Sequence, residues 1–113
     1  MITIYHNPRC SKSREGLSLL ENSGKDFVVL KYLDDPISEE QLNAIVSLLS
    51  IEPLELVRKN ETIWKSDYKG KPLTNQQIIK AMVTHPKLIE RPIVTNGKKA
   101  VIGRPPIKIL DII

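Results

Sequence analysis

One nucleophile stands out by its position: Cys10, the chain's single cysteine, in the run His6-Asn7-Pro8-Arg9-Cys10-Ser11-Lys12-Ser13-Arg14. Thiolate rather than thiol is the reactive species, and a helix N-terminus or adjacent cations lower a cysteine pKa from about 8.5 into a range of about 3.5 to 7.5. The run offers both, because Asn7-Pro8 is turn chemistry and a helical pattern begins directly after it. Free N–H groups at such a terminus also attract anions, so an oxyanion and a thiolate would meet there. The competing expectation is a small buried hydrophobe, since free cysteine is among the most buried residue types. Ser13 occupies the position that would hold a resolving cysteine. No Cys-x-x-Cys cycle is therefore available, and a covalent intermediate on Cys10 needs an outside thiol.

Three arginines are candidates for holding an anion: Arg58 before Lys59, Arg91 before Pro92 and Arg104 before Pro105. Arginine keeps its charge and offers a planar fork that matches tetrahedral oxyanions. Spacing does not show that the three converge, and a single arginine in a basic chain is ordinarily a solvated surface residue. His6 lies close enough to Cys10 to support a thiolate, or it simply packs at a strand end. His85 before Pro86 reads as a helix stop. One cysteine and two separated histidines make no metal-ligand cluster.

The elements that must position these groups follow from periodicity and breakers. Ile2 to Tyr5 reads as a strand broken by His6-Asn7-Pro8. From Ser11, the spacing of Gly16, Leu17, Leu19 and Leu20 gives one buried helical face, stopped at Asn22-Ser23-Gly24. Phe27 to Leu30 is a second strand, which completes a β-α-β unit. Ser38-Glu39-Glu40-Gln41 is a capping-box pattern that opens a helix over about 38 to 50, and Pro53 starts a short helix toward Val57. Thr74-Asn75-Gln76-Gln77 repeats the capping signal, with that helix ending at His85-Pro86. Pro92 to Thr95 and Lys98 to Ile102 flank Asn96-Gly97, a strong two-residue hairpin signal. Gly103-Arg104-Pro105-Pro106 leads into a last helix where Ile109, Ile112 and Ile113 can pack. This order outlines a single α/β domain over 1–113: a thioredoxin-like mixed sheet flanked by helices, with a helical insertion over about 36–86.

Composition bounds the partners. With 113 residues the chain buries about two-thirds of its unfolded surface, enough for one core. At 41% hydrophobic and 27% charged it is globular, and one cysteine excludes an internal disulfide framework. No apolar run approaches a membrane span and Met1-Ile2-Thr3-Ile4-Tyr5 is no secretory leader, so a cytoplasmic protein without a membrane partner is expected. The net charge of +4 is unevenly distributed. Residues 1–56 carry 5 basic and 9 acidic groups, and residues 57–113 carry 12 basic and 4 acidic, so the C-terminal half favours anions. Nucleic acid is disfavoured as that anion, because only 4% of residues are aromatic and no nucleic-acid signature is present. A small oxyanion fits.

His6-Asn7-Pro8-x-Cys10, Ser13-Arg14, Arg58-Lys59-Asn60, His85-Pro86, Arg91-Pro92-Ile93-Val94 and Arg104-Pro105 stand in the order and spacing of the glutaredoxin-linked arsenate reductase family. The chain resembles that family over essentially its whole length. The resemblance implies a thioredoxin-like fold with a helical insertion, Cys10 as catalytic cysteine, Arg58, Arg91 and Arg104 as the active-site arginines, and Pro92 as a cis-proline facing the cysteine. It also implies that Cys10 attacks arsenate, that glutathione acts as co-substrate with no bound cofactor, and that glutaredoxin removes glutathione from Cys10 to leave arsenite as product. His6 and Ser13 fall on family positions near the cysteine, where Ser13 could donate to the sulfur, while Arg14 could simply face solvent. Two other functions share these features. One is a glutathione-dependent thiol reductase of the same fold. The other is an Spx-like regulator that binds RNA polymerase without catalysis, although Ser13 removes the Cys-x-x-Cys switch many such regulators carry.

Overall fold

The computed structural model describes residues 1–113. The chain folds as two compact units, one of residues 1–35 and 91–113 and one of residues 36–90. The first holds a four-stranded sheet with strand order β2-β1-β3-β4, built from β1 (Ile2–Tyr5), β2 (Phe27–Leu30), β3 (Ile93–Thr95) and β4 (Ala100–Ile102). β1 runs parallel to β2, with Ile2 opposite Phe27 and Tyr5 opposite Leu30. It runs antiparallel to β3, with Thr3 opposite Thr95, and β3 runs antiparallel to β4. The parallel pair requires a crossover, which α1 (Ser11–Asn22) supplies. This is the mixed sheet of a thioredoxin-like fold, as the sequence leads one to expect.

The core of this unit is Ile4 from β1, Leu20 from α1, Val94 from β3 and Ile109 from a C-terminal 3-10 helix, Pro106–Asp111, all with no exposed surface. Leu17, Phe27, Val29 and Val101 pack around them. α1 buries Ser13, Gly16 and Leu20, a spacing of three and four residues along one face. Gly16 is on that face for lack of room: a Cβ there would sit 3.0 Å from both Pro92 Cγ and Ile109 Cδ1. Gly103 is tighter, with a Cβ position 2.9 Å from Pro92 Cγ and 3.1 Å from Ile109 Cδ1. Pro92 is thus wedged between two glycines and an isoleucine.

The 36–90 unit is helical. α2 (Glu39–Leu49) opens on the expected capping box, with Ser38 Oγ accepting from Gln41 N at 3.1 Å and Gln41 Oε1 accepting from Ser38 N at 2.9 Å. Between α2 and the next long helix lie a 3-10 helix at Pro53–Leu56 and a short α3 (Thr62–Asp67). α4 (Asn75–Thr84) repeats the capping box through Thr74 and Gln77, and another 3-10 turn, Pro86–Leu88, follows it. Leu42, Leu56, Ile79, Met82 and Leu88 are fully or almost fully buried, and Val57 pairs with Ile89 in an isolated antiparallel bridge.

Three elements differ from the sequence expectation. α3 has no counterpart in it. The hairpin is closed by four residues, 96–99, rather than two, because Asn96 Oδ1 accepts from the N–H groups of both Lys98 and Lys99 at 2.8 Å and withdraws them from the ladder. The last helix is a 3-10 helix, opened by Pro106 at its first position. No helix is long and apolar enough to cross a membrane.

Candidate active site

The chemistry starts where β1 stops. His6 N donates to Leu30 O at 2.8 Å, extending the β1–β2 ladder by one residue. The chain then turns through Asn7-Pro8-Arg9 to Cys10, and Asn7 is the hub of that turn. Its carbonyl accepts from Cys10 N at 3.0 Å and its side-chain Oδ1 accepts from Arg9 N at 3.0 Å. Its own N–H donates to Ser13 Oγ at 2.9 Å. Arg14 Nη1 donates to Pro8 O at 3.0 Å, so this exposed arginine ties the turn to the helix instead of only facing solvent.

Cys10 is the N-cap residue of α1, in extended conformation and 8% exposed, and it makes no side-chain capping bond. Its sulfur is therefore not engaged by the helix's first N–H groups. Arg104 reaches it instead: Nη1 lies 4.0 Å from Cys10 Sγ and donates to Arg91 O at 3.1 Å. Gly103 N donates to Pro92 O at 2.8 Å, which holds the Arg91-Pro92 segment against the residue preceding Arg104. Both Arg91-Pro92 and Arg104-Pro105 are cis. The first cis bond agrees with the family expectation, and nothing in the sequence pointed to the second. Nε and Nη1 of Arg91 are shielded from solvent.

His6 and Ser13 sit beneath this surface, both buried, with Nδ1 and Oγ 2.7 Å apart. Burial is the main cause that pushes the His6 pKa down, aided by the charges of Lys31 and Arg14 and opposed by the Ser13 hydrogen bond. The neutral imidazole is favoured. Ser13 spends its oxygen on Asn7 and His6, and the expected hydrogen bond from its hydroxyl to the sulfur is not formed.

Arg58 belongs to the 36–90 unit. The bridge between Val57 and Ile89, flanked by Arg58 N donating to Leu88 O at 2.7 Å and Glu90 N donating to Leu56 O at 2.9 Å, sets Arg58 beside Glu90. Its guanidinium lies 2.7 Å from Glu61 and 3.8 Å from Glu90. Sequence reasoning named Arg58 but neither carboxylate, because Glu90 is brought to it only by the bridge. It also passed over Asn7 as the turn's hub and over Gly103 as the spacer under Arg104, although an Asn-Pro pair is itself a turn signal. No group of three or more His, Cys, Asp or Glu side chains converges as a metal site.

The chain matches the model of the ArsC family over residues 5–112. An arsenate reductase of Haemophilus influenzae is 43% identical over 114 residues, covering 99% of this chain and 98% of that one. The uncharacterized protein YfgD of Escherichia coli is equally similar, at 43% identity over 99% of this chain and 96% of that one. Among solved structures, an arsenate reductase from Vibrio cholerae superposes with a TM-score of 0.94 at 45% identity, over 99% of this chain and 97% of that one. The turn that carries Cys10, together with Arg58, Arg91 and Arg104, falls inside the matched span, and the chain belongs to the ArsC family.

Proposed function

We propose that the protein reduces arsenate to arsenite with glutathione as the electron-donating thiol and glutaredoxin as the recycling partner. The observation that carries this reading is the single cysteine at the N-cap of α1 with the Arg104 guanidinium 4.0 Å from its sulfur and no second cysteine at Ser13. That arginine serves the thiolate, and the first N–H groups of the helix, which the sulfur does not engage, are left for a tetrahedral anion.

Cys10 thiolate attacks arsenic, an S–As bond forms, and an arsenate oxygen leaves as water. Arg104 and Arg91 hold the remaining oxygens as charge develops. The family resemblance adds Arg58 to that role. Glutathione thiolate then attacks the Cys10 sulfur. An S–S bond forms, the S–As bond breaks, and its electron pair stays on arsenic, which falls from As(V) to As(III) and departs as arsenite. Glutaredoxin thiolate takes the glutathione from Cys10 by thiol–disulfide exchange and restores the nucleophile. A reducing compartment such as the cytoplasm is the setting this cycle needs. His6 is neutral in this scheme, and with Ser13 it holds the turn on which the sulfur is carried.

Purified protein with arsenate, glutathione, glutaredoxin, glutathione reductase and NADPH should consume NADPH only when arsenate is present, and Cys10→Ser should abolish the consumption. Flat traces with arsenate beside steady turnover of glutathione mixed disulfides would replace arsenate by a thiol substrate.

A further inference from the structure

A cleft of about 320 Å³ opens on the flank of the nucleophile's turn, lined by Asn7, Pro8, Arg9, Lys31, Leu33 and Asp34. Its volume lies at the lower end of the usual range for small-molecule sites, about 300 to 1,000 Å³. One wall is the turn that carries Cys10: Arg9 directly precedes the nucleophile, and Asn7 O accepts from Cys10 N. The other wall is the turn after β2, where Asp34 N donates to Lys31 O at 3.0 Å, so that Lys31 and Asp34 share one tight turn. Two cations and one carboxylate thus face a cleft with apolar Pro8 and Leu33 between them.

We infer that this cleft is the recognition site for the thiol co-substrate and that it takes a peptide thiol with a free α-amino acid at one end and a carboxylate at the other. The inference rests on the glutathione reading above and gives it a location. Glutathione carries two carboxylates and one ammonium, the charge complement of Arg9, Lys31 and Asp34. Its γ-glutamyl end bears a carboxylate and an ammonium on the same carbon, and Lys31 and Asp34, joined by one tight turn, supply a cation and an anion to the same wall of the cleft. The glycyl carboxylate then falls to Arg9, and the glutamyl methylenes to Pro8 and Leu33. Charge-assisted pairs of this kind supply both affinity and orientation.

Titration calorimetry with S-methylglutathione and with its glycyl ethyl ester tests this without turnover. The wild type should bind the acid about tenfold more tightly than the ester. Arg9→Met should bind the two alike, at the ester's affinity. Lys31→Met and Asp34→Asn should each weaken both ligands about tenfold and keep the preference for the acid. Lys108→Met, which removes an exposed charge elsewhere, should match the wild type. Absence of S-methylglutathione binding at millimolar concentration, or a preference for the acid that survives Arg9→Met, overturns the assignment. If binding follows the stated pattern while arsenate elicits no NADPH consumption, the cleft stands and the arsenate reading falls. If turnover runs on glutathione while acid and ester bind the wild type equally, the cleft alone falls.

Discussion

Ser13 is the residue on which the turn that carries Cys10 depends most. Its Oγ accepts from Asn7 N at 2.9 Å and lies 2.7 Å from His6 Nδ1, so one hydroxyl serves both groups. Ser13→Ala strands the buried His6 Nδ1 and the part-buried Asn7 N–H at once, and should destabilise the protein by about 1 to 3 kcal/mol in urea unfolding. Because the folded His6 pKa is lowered, the unfolded chain binds the extra proton first as pH falls. Stability is fully present above the ordinary histidine value of about 6.5 and declines as pH drops through it toward the folded value. Urea midpoints between pH 7.5 and 5.5 should show that decline, and His6→Gln should flatten it. Arg104→Lys is the matching test on the other side of the sulfur. It keeps the charge but loses the planar guanidinium whose Nη1 meets both Cys10 Sγ and Arg91 O. KM for arsenate should rise at least about tenfold, which steady-state kinetics would read.

At the level of elements, the packing around Pro92 is the point of least tolerance. Gly103→Ala places a methyl 2.9 Å from Pro92 Cγ and should cost about 1 to 3 kcal/mol in urea unfolding. Pairing it with Ile109→Val removes Cδ1, the second contact at 3.1 Å, and the two changes should therefore be less than additive. α2 ends at Ser50, the only non-glycine residue at positive φ, at 57°. Ser50→Gly should raise stability by several tenths of a kcal/mol or more, by relieving the left-handed backbone at the helix's end. What the sequence made legible and what it hid divide along physical lines. α1, α2 and α4 have long apolar stripes, and the last two have reciprocal caps, so local rules decide them. α3 is six residues with no side-chain capping bond at Glu61, too short to persist on its own propensity, and it buries Trp64. The hairpin misled because Asn96 uses its side chain where a two-residue turn would use the ladder. Cys10 and its helix terminus were readable from the neighbouring residues. The contact of Arg104 with the sulfur spans 94 positions, and only the folded chain discloses it.

On the scale of the whole chain, the excess of 12 basic over 4 acidic groups in residues 57–113 should draw anions from a distance. Raising the salt concentration should increase KM for arsenate while leaving kcat nearly unchanged, since screening acts on approach more than on groups in contact. The order of assembly is a separate matter. β1 lies at the centre of the sheet and is made first, yet its antiparallel neighbour β3 begins at Ile93 and Arg104 comes later still. At translation rates of about 5 to 20 residues per second, Cys10 spends seconds on the nascent chain before Arg91 and Arg104 exist. During that interval the Arg104 guanidinium that lies 4.0 Å from its sulfur in the folded chain is missing. Each new molecule therefore passes through a stage in which its one sulfhydryl has been synthesised and the Arg104 that contacts it in the folded chain has not.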